Sequence, residues 1–151
     1  MGGKNECLKG FYTNLSPELE DAYWEYVNNP SHPFYGMFWY WCTWTYGTLY
    51  FQFNEFELQI RLIDIKRTKD PKIARTKAYS KLMEVVENNK KYNGKITKPD
   101  RFGVGNSMTI AIVDQSLWLS LDKDGCLDKD GVLKNLHKLE KFLWNDVLGN
   151  E

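Results

Sequence analysis

Apolar residues recur along this chain at two different periods. A period of two runs through Leu49, Phe51 and Phe53 against Thr48, Tyr50 and Gln52, and again through Phe56, Leu58, Ile60 and Leu62 against Glu57, Gln59 and Arg61. Such alternation marks strands with one buried face. Gly47 supplies a tight turn between a strand over about Met37 to Tyr46 and one over Thr48 to Phe53, so 37–65 reads as a three-stranded antiparallel meander. The alternation slips at Leu62-Ile63 and continues on Ile63 and Ile65, which predicts a bulge or a change of burial partner.

A helical period appears in three places. Ser16 as cap, Pro17 in the first turn and Leu19, Ala22, Tyr23, Tyr26 and Val27 on one stripe predict a helix that Asn28-Asn29-Pro30 ends. Ala74, Ala78, Leu82, Val85 and Val86 predict a long helix from about Asp70-Pro71 to Asn89. A third, from about Asp130 to Leu148, buries Val132, Leu133, Leu136, Leu139, Leu143 and Val147. Lys90 to Arg101 is a polar connector, Ser107 to Val113 a strand, and Asp114-Gln115 turns it into a partner over Leu117-Trp118-Leu119. The order α-β-β-β-α-β-β-α predicts one α+β domain over 1–151, a mainly antiparallel sheet packed by helices, with 1–14 as a flexible lead.

Composition agrees with that picture and excludes several classes. At 151 residues, 42% hydrophobic and 26% charged, the chain is that of a globular domain. Formal net charge is +0, so no global field draws it to nucleic acid or membrane. Cys7, Cys42 and Cys126 are odd in number and form no CxxC pair, which argues against disulfides or structural zinc and for a reducing cytoplasm. MGGKNEC lacks the apolar core of a secretory signal, and Glu6 stands where myristoylation wants Ser or Thr. Thr43, Thr45, Gly47, Thr48 and Gln52 interrupt the one stretch apolar enough to suggest a membrane span.

Residues 34–53, FYGMFWYWCTWTYGTLYFQF, hold close to half of the aromatic residues, on both faces of the strands they form. One face is core. The other, with Trp39, Trp41 and Tyr50, is the candidate binding surface. Between Arg61 and Arg101 basic residues far outnumber acidic ones, with Lys69, Lys72 and Arg75 as candidate phosphate contacts. The simpler reading of those lysines is a solvated helix face. Asp122-Lys123-Asp124-Gly125 recurs as Asp128-Lys129-Asp130-Gly131, but Cys126 and Leu127 break calcium-loop spacing. Asp-Gly turns, with Asp128 or Asp130 capping the last helix, explain the repeat. His32 and His137 show no triad or metal spacing, and Gly103-Val104-Gly105-Asn106 is a turn before a strand.

The order helix, three antiparallel strands, helix, strand resembles the core of PD-(D/E)XK nucleases. That resemblance implies an acid on the second strand and an (E/D)-x-K on the third. Here the second strand has no acid and the third gives Glu57-Leu58-Gln59, with Gln in place of Lys; Glu57, Glu55 and Glu25 are the acids left for Mg²⁺. Nothing else supports catalysis, a cofactor or a resident metal. The expected function is therefore binding: a non-enzymatic interaction module, such as an inhibitor, immunity factor or subunit, engaging a protein partner or a second copy of itself. The alternative is a nucleic-acid-associated protein using the basic 61–101 segment, on a diverged or inactive nuclease fold.

Overall fold

Leu8, Phe11, Tyr12 and Leu15 recur at helical spacing, and helix α1, Gly2–Leu15, buries all four. The computed structural model describes residues 2–64, 69–102 and 105–150, residues 2–6 and 150 by backbone alone. Expectations placed on Ile65, Lys66, Arg67 and Gly103-Val104 lie outside them. A single 3₁₀ turn, Ser16–Glu18, with Pro17 inside it, follows α1.

The helix expected to start at Ser16 is not there. Tyr23–Val27 is strand β1, paired antiparallel with the first half of β2, Phe34–Trp44. Four of its five residues, Tyr23, Trp24, Tyr26 and Val27, are aromatic or β-branched, the types that favour a pleated surface. Pairing with β2 satisfies the inner edge of its backbone, and that tertiary gain overrides a marginal helical stripe.

The rest of the meander follows as β3, Gly47–Asn54, and β4, Glu57–Ile63. Gly47 turns the β2–β3 hairpin at φ 145°, where an added Cβ would stand 2.6 Å from the Ile63 carbonyl. Helix α2, Pro71–Glu87, opens on Asp70, whose side chain accepts from the Lys72 and Ile73 amides at 3.1 and 3.2 Å. The connector then contributes a two-residue strand, β5 (Ile96–Thr97), beside β6 (Ser107–Val113). The six strands, all antiparallel, run β1-β2-β3-β4-β6-β5.

Leu117-Trp118-Leu119 is no strand. Gln115–Leu117 is a 3₁₀ turn that delivers Trp118 into the core, edge-on to Phe53 at 4.9 Å. Helix α3, Lys129–Lys141, continues through a wider π turn, Phe142–Val147. Asp128 stands at its N-cap, but the carboxylate accepts from the Ser120 hydroxyl at 3.1 Å and from no helix amide.

The chain is thus an α+β domain in which a six-stranded antiparallel sheet is packed by three helices. The expected succession of elements is present with β1 added. One core cluster joins Leu8, Phe11, Tyr12 and Leu15 of α1, Ala74, Ala78, Leu82 and Val86 of α2 and the apolar stripe of α3 to one side of the sheet: Met37, Trp39, Cys42 and Trp44 of β2, Leu49, Phe51 and Phe53 of β3, Leu58, Ile60 and Leu62 of β4.

Two buried protons make the fold sensitive to alkali. Burial pushes the Cys42 thiol from 9.0 up to about 11, with Glu20 and Glu140 adding to it. Burial, with Glu55, likewise raises the Tyr12 hydroxyl. Both groups keep their protons longer folded than unfolded, so the unfolded chain binds fewer protons above the unfolded values. Their contribution to stability is expected to be level below pH 9 and to fall from there toward 11, and Cys42→Ala should flatten the first part of that fall in urea titrations. Iodoacetamide under native conditions should label exposed Cys7 and Cys126 and spare Cys42.

Candidate functional site

A strand alternates its side chains between faces, so Trp39 and Trp41 were expected together. They are on opposite sides. β2 pairs Trp39 with Phe51 and Cys42 with Leu49, so two residues, Tyr40 and Trp41, oppose the single residue Tyr50. This is a β-bulge. Tyr40 takes φ 66° and its amide donates to the Glu20 carbonyl at 3.2 Å, which pins the bulge to the turn before β1.

The inserted residue shifts the phase. Trp39 turns into the core with no exposed surface, stacked on Phe51 at 5.3 Å and Phe53 at 5.6 Å. Its indole N–H donates to a Glu140 carboxylate oxygen at 2.9 Å, and the other oxygen is 2.9 Å from His137 Nδ1. Trp39 is therefore removed from the candidate surface, and His137, expected to be incidental, helps satisfy a buried acid. Trp41 stays outside, 37% exposed, stacked on Tyr50 at 4.2 Å.

The sheet face away from the helices carries Tyr23 and Glu25 of β1, Gly36, Phe38 and Trp41 of β2, Tyr50 and Gln52 of β3, Glu57, Gln59 and Arg61 of β4, and Ser107 and Thr109 of β6. Phe38 and Tyr50 are buried but belong to no part of the core cluster. Rings continue from strand to strand: Phe38 to Tyr23 at 5.1 Å, Tyr23 to Trp41 at 6.5 Å, Trp41 to Tyr50 at 4.2 Å. Tyr23 is 47% exposed.

Beyond Tyr50 the row turns polar. Arg61, its cross-strand partner, donates from Nε to the Tyr50 hydroxyl at 3.0 Å, from Nη1 to Thr109 Oγ1 at 2.7 Å and from Nη2 to Ser107 Oγ at 2.7 Å. Tyr50 and Ser107 share a further bond at 3.0 Å. Thr109 Oγ1 donates to Gln59 Oε1 at 3.0 Å, and Gln59 Nε2 donates to Glu57 at 2.9 Å. A second bulge lies beside this network, since β6 fits Ile110 between the partners of Ile60 and Arg61. The irregularity expected near Leu62-Ile63 is thus one pair earlier and on the opposite strand. Bulges next to a site re-aim side chains, and these two bracket the Tyr50–Arg61 pair.

The other predicted residues lie elsewhere. Lys69 and Lys72 are exposed at the start of α2, and Arg75 Nη2 donates to the Gly105 carbonyl at 2.7 Å. Lys98 Nζ stands over the rings of Tyr79 and Phe102 at 5.7 and 5.4 Å. None of these has a described hydrogen bond or ring contact with Trp41 or Tyr50. Asp122 accepts the amides of Asp124 and Cys126 at 2.9 and 3.0 Å, which makes its loop a self-contained turn. Among the described residues no group of three or more His, Cys, Asp or Glu could hold a metal ion. Four strands, not three, stand between α1 and α2.

Arg61, Tyr23 and Phe38 were not singled out by sequence. The available signal was the polar side of β4, Glu57, Gln59 and Arg61, which regular hairpin pairing sets opposite Asn54, Gln52 and Tyr50. What fold and site define together is a class: an antiparallel α+β domain with an aromatic and hydrogen-bonded sheet face opposite the one that the described helices pack. No protein-family model, curated protein or solved structure matches the chain. Among the described residues no helix is long and apolar enough to cross a membrane.

Proposed function

We propose that the protein is a non-enzymatic interaction module that takes a protein partner on the open face of its sheet. The observation that carries this reading is the row of rings Phe38, Tyr23, Trp41 and Tyr50, ending on Arg61, on a face away from the helices. Trp, Tyr and Arg are the residues enriched at interface hot spots. Buried Gln59 and half-buried Thr109 already satisfy one another, so a partner can cover Thr109 without leaving either unpaired.

A second reading has its own observation. Exposed Lys69 and Lys72 lie at the start of α2, and Lys98 caps a Tyr79–Phe102 ring pair, a mix of charge and stacking that suits single-stranded nucleic acid.

Trp41→Lys and Tyr23→Lys separate the two. Both side chains are exposed, so stability should change little. A protein retained from the native host and then purified should bind Trp41→Lys about 100-fold more weakly, a hot-spot effect, and bind Leu127→Lys as it binds the unaltered chain. Unchanged affinity in both face variants overturns the reading. So does salt-sensitive nucleic-acid binding that survives Trp41→Lys and disappears with Lys72→Glu and Arg75→Glu. A dimer in sedimentation that Trp41→Lys dissociates makes the partner a second copy.

A further inference from the structure

We infer that Arg61 is the seat of a single carboxylate presented by the protein partner of the open face; this rests on the interaction reading above. The guanidinium is half-buried and fixed at three points by the neutral hydroxyls of Tyr50, Ser107 and Thr109. Among the described residues no carboxylate is within ion-pair distance of it. Glu57 is linked to it through Gln59 and Thr109. The cradle therefore orients the positive charge without neutralising it.

An arginine has five N–H donors, and three are used, which leaves one on each terminal nitrogen. Two donors are what a carboxylate accepts as a forked pair. Trp41, stacked on Tyr50 at 4.2 Å, is the next ring of the face on the β2 side, where a partner seated on Arg61 would continue.

Charge on the rest of the face selects among anions. Glu25 and Glu57 are the other charged residues of its strands β1 and β4, both exposed and both negative. A polyanion laid across this face would meet two carboxylates for one guanidinium, so a nucleic-acid backbone is the wrong ligand here. A protein surface suits it, with one acid over Arg61 and a base over Glu57. The two positions are four residues apart on one strand, about 13 Å at the strand rise, which sets the spacing of the partner's charges. The half-buried hydroxyl cradle is also uncharged, unlike a phosphate site built from several cations.

The test uses the full chain, NMR of arginine side chains and backbone amides, and two probes, sodium acetate and sodium phosphate, at ionic strength held constant with chloride. Acetate is expected to move the Arg61 Nε–H and Thr109 amide signals along saturable curves that vanish in Arg61→Gln. Glu57→Gln, which leaves the cradle whole, should shift the acetate curve to lower concentration. With the purified partner, Arg61→Gln should weaken binding about 10- to 100-fold, the range for a hydrogen bond to a charged group, and Arg61→Lys should not restore it, because a lysine lacks the fork. The inference is overturned if acetate gives no saturable shift, if the shift persists in Arg61→Gln, or if phosphate saturates the site at a tenth of the acetate concentration or less. Binding that is lost in Trp41→Lys and unchanged in Arg61→Gln removes the carboxylate seat and leaves the interface reading standing. Binding unchanged in both removes the two together.

Discussion

Trp39→Ala is expected to bring the protein to the edge of unfolding. Truncating a buried tryptophan to alanine costs about 3–5 kcal/mol in lost transfer free energy and cavity formation. Here a second term adds to it. Glu140 is buried, and loss of the indole N–H leaves one carboxylate oxygen with no described donor, for about another 1–3 kcal/mol. Together these approach the whole folding free energy of an ordinary domain, about 5–15 kcal/mol. Urea denaturation of three further variants separates the terms. Trp39→Phe keeps a ring between Phe51 and Phe53 but removes the donor and part of the indole's volume, so it should cost about 1–3 kcal/mol for the donor plus a smaller cavity term than alanine leaves. Glu140→Leu removes the acceptor. If the hydrogen bond is what couples them, the double variant should be less destabilised than the two singles added, by about 0.5–3 kcal/mol. Strict additivity would show that Glu140 owes its place to His137 and to packing alone.

The same tryptophan shows where sequence pattern stops being informative. In a regular β2, Trp39 and Trp41 share a face, and nothing in FWYWCTW says which residue is extra. Tyr40 is the insertion because its amide reaches the Glu20 carbonyl and because two residues there must oppose Tyr50 alone, both consequences of partners distant in sequence. Removing Tyr40 from the count restores an uninterrupted alternation: Met37, Trp39, Cys42 and Trp44 inside, Phe38, Trp41 and Thr43 outside. Trp41 and Tyr50 were therefore legible as one outer pair, while Trp39 was not legible as core.

Elements with a local signature were read correctly for physical reasons. Asp70-Pro71 is a cap followed by a residue preset for the first helical turn, and Ala74, Ala78, Leu82 and Val86 keep one face inward. Gly47 occupies a turn whose φ favours glycine. Segments misread were those with two compatible patterns. Leu19, Ala22, Tyr23, Tyr26 and Val27 fit a helical stripe, yet Tyr23-Trp24-Glu25-Tyr26-Val27 fits a strand with Trp24 inward and Tyr23 outward just as well. The presence of β2 as a pairing edge decides between them. Arg61 was counted among thirteen basic residues of a charged run, and only its cross-strand neighbour Tyr50 and the hydroxyls of β6 distinguish it.

Helix α1 gives the second large effect. Removing residues 1–14 is expected to abolish cooperative folding. Leu8, Phe11, Tyr12 and Leu15 are all buried against the sheet and α3, and Phe11 alone contacts Phe53, Phe56 and Trp118 at ring separations of 5.5, 5.6 and 6.0 Å. Each such side chain contributes roughly 1.5–3 kcal/mol of burial. Three of them together contribute about 5–9 kcal/mol of burial, before the entropy of ordering the helix is set against it, which is comparable with an ordinary domain's whole stability. The loss also uncovers Phe53, Trp118 and the aromatic end of β2, a surface that should make the shortened chain bind the dye ANS and lose its near-ultraviolet circular dichroism. Tyr12→Phe is the milder companion. Its hydroxyl lies 2.6 Å from the Glu55 carbonyl and 3.1 Å from that of Tyr35, closing the turn between β3 and β4 onto β2. Losing that donor should cost about 1–3 kcal/mol and leave the fold intact. A shortened chain that melts cooperatively at the midpoint of the full one would mean that the sheet and the other two helices hold this core without α1.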